Sequence, residues 1–167
     1  FNSYRFHLSH GGTFGNLSYA LGLGTPHTDG PDNRHAHENM ANFYGDIHWR
    51  PSSKLSLRTT LFHLYGKREL ARAEPPATLQ LQTNDERFDP AQGTFVQTKL
   101  LYYASNHATT EFDASYSNRD DRFIAQTDST RTISRDWDFE WSVNLIQSLA
   151  LSKQNTIRFG GLYNRWV

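Results

Sequence analysis

From Trp137 to Leu145 the chain alternates without a break. Trp137, Phe139, Trp141, Val143 and Leu145 are apolar, while Asp138, Glu140, Ser142 and Asn144 between them are polar. A period of two is the signature of a β-strand with two unlike faces, because successive side chains leave a strand on opposite sides. One face here is bulky and aromatic. The other holds repeated carboxylates, which a dry protein core does not accept without partners. Any fold for this chain must therefore give such a strand an apolar medium on one side and a wet one on the other.

The pattern recurs. Leu17, Tyr19, Leu21 and Leu23 alternate with Ser18, Ala20, Gly22 and Gly24, and Phe43, Gly45, Ile47 and Trp49 with Asn42, Tyr44, Asp46 and His48. Phe112, Ala114 and Tyr116 alternate with Glu111, Asp113 and Ser115, and Ile157, Phe159 and Tyr163 oppose Arg158, Gly160 and Asn164. Together these segments predict eight strands, over 3–10, 17–24, 42–49, 55–65, 95–104, 111–117, 136–149 and 156–166. Phe62, Leu64 and Leu101 break the pattern by falling on the nominally polar face, which suggests packing against something on that side.

Connection lengths alternate as well. Turns rich in Gly, Pro, Asn and Ser are expected at 11–16, 50–54, 106–109 and 152–155, and long loops at 25–40, 67–94 and 119–134. Short turns at one end and long loops at the other describe a transmembrane β-barrel of the outer-membrane kind. Trp49 beside a short turn, with Tyr65, Trp137 and Trp166 toward the long loops, suits the aromatic belts at the two membrane surfaces. The fold class expected is thus all-β, an antiparallel meander whose domain is a single barrel segment of four hairpins over 1–167.

Composition narrows the function classes. At 167 residues the chain fits one domain, and no run approaches the ~18 apolar residues of a membrane helix. Seventeen basic and seventeen acidic residues cancel, so no net field favours nucleic acid, and no basic stripe is interleaved with stacking aromatics. Cysteine is absent, which removes disulfides, thiolate metal sites and thiol catalysis. Catalysis is not expected. Asp120, Asp121 and His63 could approach one another on the outer side, but no spacing fixes a nucleophile, a base and an orienting group together.

The strings Trp49-Arg-Pro-Ser-Ser-Lys-Leu-Ser-Leu57, Asn106-His-Ala-Thr-Thr-Glu-Phe-Asp-Ala-Ser-Tyr116 and Asn155-Thr-Ile-Arg-Phe-Gly-Gly-Leu-Tyr163 resemble barrel hairpins of TonB-dependent outer-membrane receptors, as does Ser117-Asn-Arg-Asp-Asp-Arg-Phe123. The resemblance runs along nearly the whole chain. It implies a sector of a 22-stranded barrel occluded by a plug domain, in the outer membrane of a Gram-negative bacterium. It further implies import of a scarce nutrient such as a metal chelate, with energy relayed through TonB. Partners would then be outer-membrane lipid, the barrel's own plug and the TonB system reached through an N-terminal region, and a small-molecule or metal-chelate ligand. Neither the TonB box nor the plug has a match in these residues.

Strand direction adds a topological expectation. If the first connection is short and lies in the periplasm, both ends of the chain lie outside, so the segment reads as four hairpins of a larger barrel with two open edges. A complete small barrel or porin-like channel is the alternative, and a soluble β-barrel or sandwich acting as a binding module is a third reading.

Two sets of residues could carry function. The first long loop holds His35, His37 and Glu38, with His27, Asp29 and Asp32 nearby, which makes His35, His37 and Glu38 the candidate substrate contacts. No resident metal or cofactor is expected. The second set is lumen-facing: Asp46, His48, Arg58, Lys99, Glu111, Asp113, Asp138, Glu140 and Arg158. Charges persist in a barrel wall where water or partner charges reach them. Trp137, Phe139, Trp141, Val143 and Leu145 are expected to face lipid.

Overall fold

The computed structural model of the protein describes residues 2–30, 36–70, 85–126 and 129–167. They form eight strands: β1 (Ser3–Phe14), β2 (Leu17–Thr28), β3 (Glu38–Ser52), β4 (Leu55–Glu69), β5 (Asp85–Ser105), β6 (Ala108–Gln126), β7 (Arg131–Ala150) and β8 (Thr156–Trp166). Each strand pairs antiparallel with its sequence neighbours, in one sheet of order β1 to β8. There is no helix and no second sheet among the described residues. The all-β meander expected from the alternation is what the chain forms.

Three of the four turns at one end are tighter than the sequence suggests, while the β7–β8 turn takes 151–155. Gly15 and Asn16 alone join β1 to β2, and Gly15 takes a φ of 57°, which costs glycine least. Hence 11–14, expected as turn, belong to β1. Two residues also suffice between β3 and β4 and between β5 and β6.

At the opposite end the strands run on into the segments expected as loops. The connection expected at 119–134 is corrected to 127–130, because β6 extends to Gln126 and β7 starts at Arg131. The physical reason is cross-strand complementarity. Asp120, one of a charged run that reads as a loop, accepts two hydrogen bonds from Arg135 at 2.6 Å, and Phe88 meets Phe123 with ring centroids 5.5 Å apart. Likewise β2 continues to Thr28, β3 starts at Glu38, β4 continues to Glu69 and β5 starts at Asp85. Trp137, expected near a strand end, therefore lies well inside β7.

Register shows which residues share a face, since directly paired residues project to the same side. Leu17, Trp49, Leu57, Leu100, Phe112 and Leu145 succeed one another across β2 to β7, and Trp141 pairs with Tyr116. This is the apolar face, and it carries Trp137, Phe139, Trp141, Val143 and Leu145 together. Nothing among the described residues covers it. The buried hydrophobic residues are only Met40 and Ile124 among those described. Every residue of β1 and of β8 is exposed, and no ladder joins these two edges among the described residues.

Candidate functional site: the polar face and its loop-end cluster

The face opposite the aromatic one gathers all nine residues expected to be lumen-facing. His48 pairs with Arg58, Arg58 with Lys99, Lys99 with Asp113, and Asp113 with Asn144. Asp46 lies two residues from His48, Glu111 two from Asp113, and Asp138 and Glu140 follow on β7, so alternation puts them on the same side. Arg158 of β8 pairs with Ser148 on this face too.

Most of these charges are engaged with one another. Arg58 donates from Nε to both oxygens of Asp46, at 2.9 and 3.2 Å, and the Thr60 hydroxyl donates to the same carboxylate at 2.7 Å. Lys99 donates to Glu111 at 2.6 Å, while Arg158 approaches the other Glu111 oxygen at 3.7 Å. The Gln97 amide donates to Asp113 at 3.1 Å, and His48 exchanges a hydrogen bond with Ser56 at 2.9 Å. The result is a band of balanced charge rather than a patch of one sign. Such a band is water-compatible and binds neither strong anions nor strong cations by field alone.

Set into the band is an apolar row. Tyr44, Phe62 and Phe95 are paired in register across β3, β4 and β5, and each leaves more than a third of its surface exposed. Leu64, opposite Gly93, and Leu101, opposite Glu111, extend it.

The sheet separates Asp121 from the other two enzymatic candidates. His63 and Asp120 lie on the apolar side, where His63 bonds the Thr94 hydroxyl at 2.9 Å and Asp120 is held by Arg135 at 2.6 Å, whereas Asp121 lies on the polar side and holds Arg119 at 2.6 Å. None of the three is arranged with another as a nucleophile–base pair.

At the long-connection end the structure gathers different residues from the set read as substrate contacts. His35 lies outside the described residues, as does Asp32. Glu38 opens β3 and turns to Arg68 of β4, 3.6 Å away. His37 instead meets His27 and Asp29, which arrive from the end of β2. His27 Nε2 is 3.1 Å and His37 Nδ1 is 3.6 Å from the same oxygen of Asp29, and the two imidazoles meet edge to face, centroids 5.0 Å apart. The signal for His27 and Asp29 was present as loop proximity alone. Only the turn after Thr28, whose hydroxyl accepts the Gly30 N–H at 3.1 Å, folds them back toward His37.

No family model matches this chain, and no curated protein is similar enough to it to count as a relative.

Proposed function

We propose that the chain is a sector of the barrel wall of an outer-membrane receptor of the TonB-dependent kind. It would import a scarce nutrient such as a metal chelate across the outer membrane of a Gram-negative bacterium. The observation that carries this reading is a single-layered sheet with two chemically opposite faces. A soluble domain of this size covers its apolar sheet face with a second layer of helices or strands. Lipid is the medium that leaves an aromatic face bare while neighbouring strands pair their backbone groups in ladders.

Strand length supports the same reading. At ~3.3 Å per residue, the 21 residues of β5 reach roughly 70 Å, and β6 and β7 are nearly as long. A tilted membrane strand needs only ~9–11 residues. The surplus suits strands that rise out of the bilayer toward ligand-contacting loops. The aromatic row of Tyr44, Phe62 and Phe95 favours a barrel filled by a plug over an open porin-like channel, because bare rings in an aqueous pore gain nothing from water.

Single cysteines scanned along β7 test the reading, and these 167 residues hold no other cysteine. Spin labels at 137, 139, 141, 143 and 145 should collide with lipid-soluble oxygen in outer-membrane vesicles. Labels at 138, 140 and 144 should collide with a water-soluble nickel chelate. Equal exposure of both sets to the chelate would exclude a lipid-facing wall. The transport half predicts that deleting the gene slows growth in metal-depleted medium, and that deleting TonB in the same cells slows it no further.

A further inference from the structure

We propose that His27, Asp29 and His37 form a binding site for a divalent first-row transition-metal ion of the zinc type, with one coordination position left for water or for a ligand the metal brings with it. Their donor atoms all lie within 4.8 Å of one another. Two nitrogens and one carboxylate oxygen suit zinc, copper or nickel, whereas magnesium and calcium select oxygen alone.

The spacing is close to what such an ion needs. With bonds of ~2.0–2.1 Å, two donors of a tetrahedral zinc lie roughly 3.3 Å apart. Asp29 Oδ1 already stands 3.1 Å from His27 Nε2 and 3.6 Å from His37 Nδ1. Only the two imidazoles have to close on one another, which side-chain rotation of the half-exposed His37 supplies.

The backbone around the trio is pinned from two sides. The Asp29 N–H donates to the Asn2 carbonyl at 2.9 Å, beside β1. The His37 carbonyl accepts the Glu69 N–H at 2.8 Å, and the Glu69 carboxylate accepts the His37 N–H at 3.3 Å, at the end of β4. The His27 ring is clamped by Tyr4, stacked on it with centroids 4.5 Å apart. A site held this way loses little freedom when an ion enters it. The charge also fits, since a single carboxylate and two neutral imidazoles leave a divalent ion net positive and ready for an anionic fourth ligand.

The inference stands on these side chains and does not need the membrane reading. The test is zinc chloride titrated into the intact protein in competition with a chromophoric chelator. One equivalent should bind, and excess magnesium should not displace it. His27→Ala and His37→Ala should each weaken binding by more than the roughly 10–100-fold that loss of a supporting partner costs. Glu69→Gln, which only slackens the hold on His37, should cost about tenfold, at the lower end of that range. His107→Gln, in the β5–β6 turn, should change nothing. His37 lies outside the strands, so its variant leaves the ladders intact. The wild-type protein gives an independent readout: bound copper(II) should show hyperfine splitting from two imidazole nitrogens. Absence of stoichiometric zinc binding would overturn the proposal. So would binding that survives both histidine variants, or a copper spectrum with no nitrogen coupling, and the trio would then be a hydrogen-bonded clasp only.

Discussion

The ladder between β5 and β6 breaks between Phe88 and Gly93, a gap that would strand the Gln92 N–H, and Asp121 Oδ1 accepts it at 3.0 Å. The other Asp121 oxygen takes Arg119 Nε at 2.6 Å, and Asp121 is 6 % exposed. Asp121 is thus a structural carboxylate. Asp121→Ala leaves a part-buried N–H unpaired and should cost about 1–3 kcal/mol, read as a lower denaturation midpoint at unchanged slope. Asp121→Asn keeps an acceptor for Gln92 and should recover part of the loss. No sequence pattern marks this role, since the partner of Asp121 is a gap in a ladder 29 residues away.

At the scale of elements, the alternation located all eight strands but stopped short of their ends. Many residues beyond those ends are charged or small, and they lie in strands because neighbours answer them: Asp120 with Arg135, Arg68 with Glu38, Gly66 with Met40. Gly66 shows the tightest of these fits. A Cβ there would meet the Asn39 carbonyl and the Met40 backbone of β3, so the two strands approach more closely than a side chain allows. Gly66→Val should push β4 from β3, uncover Met40 and cost about 1–3 kcal/mol. Guanidinium unfolding followed by far-ultraviolet circular dichroism checks this, with Gly161→Val, where added atoms meet open space, as the neutral control.

At the scale of the whole molecule, the two edges β1 and β8 decide what the sheet can be. A complete eight-stranded barrel requires a β1–β8 seam, and the described residues contain none. Free edges offer unpaired N–H and C=O groups to any other strand. Cysteine pairs with one member on each edge test the seam directly: Leu8→Cys combined in turn with Ile157→Cys, Phe159→Cys or Tyr163→Cys. All four residues are exposed and share the apolar side of their strands by register. No intramolecular disulfide should form in any of them under mild oxidation. A disulfide in one pair at high yield would indicate a closed small barrel and remove the support for a larger one.

The sequence by itself determined the strand class, the number of strands and the division of residues between two faces, because a two-residue period is a local property that no distant contact needs to supply. The Trp137–Leu145 face and the nine polar residues opposite it were legible for that reason. Tertiary structure decided which charges cancel, how far the strands run, and that His37 joins His27 and Asp29 while Glu38 turns away to Arg68. Those outcomes depend on register between strands and on the path of a connection, and neither is encoded at any one position. A shift of one residue in β3 against β4 would have exchanged the partners of every side chain along both.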